Sequence, residues 1–278
     1  MQFDHILLRS LSKKIIIRRN FSVHVHQELV LKSFGNGVNL LNSNQELGLF
    51  ALYKPPGVLS HPNSNREYSK QALISQPYCM ASEAYLFQLD QGTIAKLWLL
   101  HRLDSATSGV ILVCSNEGVA RIIKDTFKAR KVHKQYIAAV FGRFQKQQLW
   151  VDNMSVKKTD YVRAISSISN NYSSLEAKTR VRGLTFNSAT CVSQIELMPF
   201  TGYTHQLRYQ CSKRNLPIVG DRTYGNFKSN KNVSLLGGIP RRLYLHASTL
   251  SIDVLGQQFV ATCPLPLEFK DLLSYKNS

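Results

Sequence analysis

A mixed domain of interspersed strands and helices, α/β or α+β, is the fold class this sequence predicts. Two observations carry it. Apolar runs of strand length end at Pro, Gly or Asn, with Gly48–Tyr53 and Val110–Cys114 the clearest. Between such runs lies a segment, Glu117–Lys131, with helical rather than alternating spacing. The 278 residues, 44% of them hydrophobic, suffice for a core in one large domain or two small ones.

Taken in order, residues 36–44 are rich in Asn and Gly and read as a loop. Gly48-Leu49-Phe50-Ala51-Leu52-Tyr53 reads as a buried strand stopped by Pro55-Pro56-Gly57. Residues 63–76 are polar and read as an irregular connection, and Leu97–Leu103 leads into a turn of Ser, Thr and Gly. Val110–Cys114 is a second strand. In Glu117–Lys131, Val119, Ile123 and Phe127 recur every four residues beside Ile122, which predicts a helix. Its Arg121, Lys124, Lys128 and Lys131 form either a solvated face or a contact to a polyanion. Residues 135–141 return to strand character, and residues 166–174 read as an exposed hairpin end. Thr190–Met198 alternates around Val192, Ile195 and Leu197, and Pro199–Gly202 breaks the run. Thr204 is the expected N-cap of a short helix through Asn215, ended by Pro217. Leu243–Leu250 is another strand, and Pro264–Leu273 closes with a short amphipathic helix. No period of 20–50 residues repeats, which excludes solenoids.

Lys and Arg number 35 against 17 Asp and Glu, a formal net charge of +18. Such an excess steers a protein toward nucleic acid or an anionic membrane. No apolar stretch approaches the ~20 residues of a spanning helix, so nucleic acid is the expected partner and membrane is not. The five cysteines show no Cys-x-x-Cys and no Cys/His cluster, and read as free thiols without a metal. Neither a Gly-x-x-x-x-Gly-Lys-Ser/Thr nor a Gly-x-Gly-x-x-Gly run argues for a nucleotide cofactor, so none is expected. Leu7–Ser22 carries Arg9, Lys13, Lys14, Arg18 and Arg19 with no acid, the composition of a mitochondrial transit peptide. Asp4 counts against that reading, and a basic arm that touches the partner directly is the alternative.

The run His101-Arg102-Leu103-Asp104-Ser105-Ala106-Thr107-Ser108-Gly109 places a carboxylate between a cation and a turn. Thr204-His205-Gln206-Leu207-Arg208 supplies an arginine that can pair with it from another element. A carboxylate held beside arginines has a lowered pKa and acts as a nucleophile rather than an acid. The same arginines can grip a phosphate backbone. On the residues alone, Asp104 caps a turn with Ser105 and Thr107 just as readily.

At these residues the chain resembles the RluA-type RNA pseudouridine synthases. His101-Arg102-Leu103-Asp104 followed by Thr107-Ser108-Gly109 is similar to that family's catalytic motif. Lys54-Pro55-Pro56-Gly57 with His61-Pro62, Lys134-Gln135-Tyr136, Thr201–Arg208 running on to Pro217–Asp221 and Tyr224-Gly225, and Leu245-His246-Ala247 agree with it in order. The resemblance covers Leu47 to Phe269. It implies an α+β fold, a mixed, largely antiparallel sheet with flanking helices and an active-site cleft across its middle. It also implies isomerisation of uridine to pseudouridine in RNA without cofactor or metal.

The resemblance assigns the carboxylate chemistry to Asp104, the paired arginine to Arg208, and the ring under a flipped base to Tyr136. Arg102 and Lys134 are its substrate-binding cations, and Leu207 and Ile218 its apolar pocket wall. Surface or core roles are the alternatives for Arg102, Arg208, Tyr136, Leu207 and Ile218. The chain departs from the family at Tyr203, where an arginine is usual, and at Leu216, where a histidine is usual. Residues 1–22 are then a transit peptide or arm, 23–46 a linker or N-terminal strand region, and 47–278 the catalytic domain. No separate module of the S4 type is expected, so the basic surface and segments such as Arg222–Arg242 would select the RNA. Short relatives in fungal mitochondria imply a large-subunit ribosomal RNA target and a mitochondrial matrix location for a monomer. Transfer RNA is the alternative substrate, cytoplasm or nucleus the alternative compartment, and a non-catalytic ribosome-assembly factor the alternative class.

Overall fold

The computed structural model describes residues 27–62, 71–89, 92–157, 172–236 and 238–276. The expected transit peptide lies outside the described residues, as do 63–70 of the polar connection and the expected hairpin end up to residue 171. The first described elements are helix α1 (Gln27–Lys32) and strands β1 (Asn39–Asn44) and β2 (Leu49–Lys54). Strands β3 (Tyr78–Cys79), β4 (Ala84–Gln88), β5 (Ile94–Leu99) and β6 (Ser108–Cys114) lead to helix α2 (Glu117–Lys128). Then come β7 (His133–Phe141), the long β8 (Gln147–Lys157) and β9 (Tyr172–Asn187), and β10 (Val192–Pro199). Helices α3 (Gln206–Lys213) and α4 (Phe227–Ser234), strands β11 (Leu245–Val254) and β12 (Gln257–Thr262), and helix α5 (Leu267–Ser274) complete the order.

All twelve strands among the described residues join one sheet, with the main path β3-β4-β5-β6-β11-β7-β10-β9-β8. Every pairing is antiparallel except β6 with β11, where Ser108 and Gly109 lie opposite His246 and Ala247. The α+β class with a mixed, largely antiparallel sheet is therefore what the chain forms.

Strand β6 is the branch point. β2 pairs along its length, while β11 meets its start and β5 its end. All seven of its residues are buried, which is why it reads as a continuous apolar run rather than an alternating one. Alternate side chains enter opposite faces. Ile111 and Val113 join the core of Phe50, Leu52, Leu73, Tyr85 and Leu97, whereas Val110 and Leu112 pack with Val119, Ile123 and Ile252 under α2. A third core unites β7, β10, α3 and α5 around Trp150, Ile195, Ile218 and Phe269. Tyr136 packs against both the first and the third, which puts it on the seam where the cleft opens.

The parallel contact depends on one glycine. Gly109 has φ +122, and a Cβ there would stand 2.1 Å from the Ala247 carbonyl oxygen. No other residue lets β11 approach the strand that follows the Asp104 loop.

Three expectations change. Residues 39–44 form β1, an edge strand, because the ladder to β2 outweighs the turn preference of its asparagines; its residues stay exposed or half-exposed. Val30 of α1 is fully buried, so the segment before β2 belongs to the domain body rather than to a linker. The helix expected from a Thr204 cap starts one residue later, with His205 as its N-cap. No side chain caps it; Gln206 instead turns back to accept the Tyr203 N–H (3.2 Å) and the Thr201 hydroxyl (2.8 Å), fixing the segment that enters the helix.

Candidate active site

Asp104 sits in the loop between β5 and β6, and that loop is pinned on both sides of it. The Ser60 hydroxyl donates to the Leu103 carbonyl at 2.8 Å and accepts the Leu103 N–H at 3.1 Å. The Ser105 carbonyl accepts from the Gly57 N–H at 2.7 Å and from Lys54 Nζ at 2.9 Å. Thr107 N–H closes a turn on the Asp104 carbonyl at 3.0 Å. The turn-cap reading of Asp104 is thus satisfied by its backbone, and the carboxylate is left to face the cleft.

Lys54 is fully buried, and its ammonium donates to the carbonyls of Pro55, Val58 and Ser105 at 2.8–2.9 Å. Three carbonyls match the three N–H donors of a lysine. Burial pushes its pKa down to about 7, against the pull of the Asp104 charge. His101 plays a neutral part in the same scaffold. Its Nε2 accepts the Leu112 N–H at 3.0 Å, and burial, aided by the Lys134 charge, pushes the ring down to about 3.

Arg208, on the first turns of α3, is the hub. Its Nη1 donates to Asp104 Oδ2 at 3.1 Å, while Nε and Nη2 hold the two oxygens of Asp221 at 2.7 and 2.8 Å. Nη2 also reaches Thr223 Oγ1 at 3.1 Å. The planar fork suits this double duty; a lysine could not span both carboxylates. Burial works against an ionised Asp221, but Arg208 and the N–H groups of Tyr224 and Thr223 outweigh it and hold the carboxyl below its usual range. Helix α3 is itself fixed at its far end, where Gln210, Lys213 and Arg214 bind Asp152 of β8 at 2.7–2.9 Å.

The pinning of Asp221 comes from the turn before it. Gly220 has φ +76, and a Cβ there would lie 1.7 Å from the Arg242 carbonyl oxygen. Glycine is required for the chain to pass.

The other expected residues divide. Tyr136, half-buried, lines the cleft near Asp104; burial, then that charge, pushes its phenol above the ordinary range. Lys134 is half-buried with its ammonium 3.3 Å from the Thr201 carbonyl, and burial, then Arg130, lowers it to about 8. Arg102 is exposed at the cleft mouth and makes no ion pair among the described residues. Leu207 is buried and lines the cleft. Ile218 does not. It is 1% exposed in the core and bridges to Val140, and the next residue, Val219, is the one that faces the cleft. The one-residue shift follows from strand alternation, which sends neighbours to opposite sides.

Four neighbours of the Asp104 loop were given no role from the sequence, although Lys54, His205 and Asp221 stand within its motifs. Asp221, Ser60 and Lys54 are polar residues beside Pro and Gly turns, a signal that marks a turn without revealing what it holds. His205 is the fourth. Its Nε2 lies 3.5 Å from Asp104 Oδ2 and its Nδ1 3.3 Å from the Tyr224 hydroxyl, from a left-handed backbone with φ 57. The Tyr203 departure also gains a meaning. Its hydroxyl accepts from Arg130 Nη2 at 2.9 Å, so a guanidinium from just beyond α2 lies against this segment.

Among the described residues the cleft lining carries nine Lys and Arg side chains against three acids, Glu83, Asp104 and Asp221. Its field therefore favours an anionic substrate.

A family model described as RNA pseudouridylate synthase matches residues 48–213. The ribosomal large subunit pseudouridine synthase C of Rickettsia bellii is 29% identical over 225 residues, 80% of this chain and 67% of that one. The tRNA pseudouridine synthase C of Haemophilus ducreyi is 30% identical over 210 residues, covering 73% and 80%. The chain spans from about half to four fifths of the length of its curated relatives. Human RNA pseudouridylate synthase domain containing 1 shares the fold, with a TM-score of 0.59 at 23% identity over 82% of this chain and 83% of that one. The chain belongs to the RNA pseudouridylate synthase family, enzymes that isomerise uridine to pseudouridine in RNA.

Proposed function

We propose that this protein isomerises a uridine of mitochondrial large-subunit ribosomal RNA, with Asp104 as the nucleophile, and that it acts as a monomer. The chemical part is carried by one observation: Arg208 joins Asp104 to the buried Asp221 while the Asp104 carboxylate stays 26% exposed to the cleft. The reaction breaks the N1–C1′ bond, turns the base, forms C5–C1′ and moves one proton from C5 to N1. Atoms balance without an oxidant, a reductant or an acceptor molecule. Attack at C1′, attack at C6 and assistance at C2′ all need the same thing, a fixed carboxylate beside the glycosidic bond.

The chain supplies the rest. A uridine must leave its stack to reach such a carboxylate. The Tyr136 ring gives the flipped base a face to stack on, worth roughly 1–3 kcal/mol. Its phenol, raised above the ordinary range, enters the reaction protonated. Leu207 and Val219 exclude water, while Arg102, Arg130 and Lys134 stand where phosphates would approach, positioning the RNA without reading it. The mitochondrial assignment rests on the basic, acid-free run at residues 7–22, and the ribosomal target on relatives named for the large subunit.

A pseudouridine map of all RNA from the source cell, wild type against Asp104→Ala, tests the reading. Loss of one site in mitochondrial ribosomal RNA is the expected result. Loss in transfer RNA, the substrate named for one relative, or in cytosolic RNA would overturn the target. No lost site would leave a non-catalytic RNA-binding factor.

A further inference from the structure

The cleft wall built by residues 220–242 holds a group that the isomerisation does not use. Phe227, first residue of α4, is 84% exposed although it lines the same cleft as Asp104. A single exposed apolar side chain needs no explanation by itself. This one stands among cations. Lys231 is four residues on, and residues i and i+4 share a helix face, so an aromatic and a cationic side chain leave α4 from the same face. Arg222 lines the cleft before them, and among the described residues neither cation makes an ion pair. The only acid that this wall gives the cleft is Asp221, already taken up by Arg208.

Helix α4 is also firmly mounted. Asn226 Oδ1 caps it by accepting the Ser229 N–H at 2.9 Å, and Val233 anchors it in the core. Asn230 accepts the Gly220 N–H at 2.8 Å and donates to the Asp221 carbonyl at 3.0 Å. The helix that carries the exposed ring is therefore tied, through two hydrogen bonds of Asn230, to the turn that holds Arg208 and, through it, Asp104.

We propose that Phe227 is a stacking platform for a nucleobase neighbouring the target uridine, with Lys231 on the adjoining phosphate. The platform rests on the reading of the cleft as the RNA site and deepens it. An aromatic face beside unpaired cations matches a single strand, whose every base offers a π-face and whose every link carries a negative charge. The rigid mount converts that contact into a ruler, since a base seated on Phe227 sets how far along the strand the uridine over Asp104 must lie.

The test is binding of the full chain to a short fluorescent oligouridylate and to an abasic sugar-phosphate strand of equal length. Phe227→Ala is expected to weaken oligouridylate binding roughly 5- to 150-fold and to leave the abasic strand unaffected. Phe227→Trp should retain affinity, with its fluorescence quenched on binding. Lys231→Ala should weaken both strands and lower the salt slope by about one. Wild-type affinity in Phe227→Ala, full affinity in Phe227→Leu, or equal loss on both strands would overturn the platform alone. Failure of the wild-type protein to bind either strand would overturn the RNA-cleft reading as well.

Discussion

The floor and the rim of this cleft are built by opposite rules. On the floor, Ser60 holds Leu103, Lys54 and Gly57 hold Ser105, and Arg208 holds the Asp104 carboxylate. At the rim, Arg102, Arg222, Lys231 and Phe227 are exposed, and among the described residues the three cations have no ion-pair partner. The floor carries its interactions before RNA arrives, so little reorganisation is left for the reaction itself. The rim keeps its charges solvated, which suits backbone contacts formed by release of counterions. Substitutions on the floor should therefore damage turnover or folding, and substitutions on the rim should damage affinity.

The largest floor effect outside Asp104 is expected at Asp221. Asp221→Ala leaves most of a buried guanidinium without its acceptors, a change that typically costs about 3–5 kcal/mol. Chemical denaturation should show that loss, and Arg208→Lys, which cannot span both carboxylates, should lose activity as well. A stable and active Asp221→Ala protein would remove the hub from the account. Tyr136→Phe keeps the ring and deletes the hydroxyl. It should slow turnover on the order of 10²-fold with KM little changed, and steady-state kinetics separates the two; an unaltered rate would reduce Tyr136 to a stacking surface.

Lys54 gives a pH test with a definite sign. Folded Lys54 titrates at about 7 and unfolded lysine at about 10.4. Between those values the folded protein binds fewer protons than the unfolded chain, so this group makes stability rise with pH. Melting curves of wild type against Lys54→Met should diverge in favour of wild type from pH 7 toward pH 10 and run parallel below pH 7. A pH-independent difference would contradict it. The smallest effect is at the rim. Arg102→Ala should raise KM a few-fold and lower the salt slope of RNA binding by about one, whereas a change in turnover alone would place Arg102 on the floor.

The same contrast explains what was legible in the sequence. β2, β6 and α2 were readable because burial on one or two faces imposes a periodicity on local residues. Asp104, Arg208 and Tyr136 were readable as a constellation through five motifs in order, and the fold brings all three to one cleft. The edge strand β1 and the length of β8 and β9 were not, although residues 166–174 read as a hairpin end. Each pairs with a sequence neighbour, β1 with β2 and β8 with β9, but half-exposed polar strands leave a weak period. Ile218 was misplaced by one position because strand alternation cannot be phased from a four-residue turn. The roles of Asp221, Ser60 and Lys54 were not legible because each acts through a contact made across the fold: Arg208 for Asp221, and the backbone of the Asp104 loop for Ser60 and Lys54.

The central claim is that a carboxylate at position 104 performs the chemistry and contributes little to holding the RNA. Single-turnover isomerisation by Asp104→Asn, on RNA from cells lacking the protein and with enzyme in excess, tests it most directly. The account predicts no pseudouridine formed while RNA affinity stays at the wild-type level. Pseudouridine formation at a rate close to wild type would contradict it, and so would a loss of activity explained entirely by lost RNA binding.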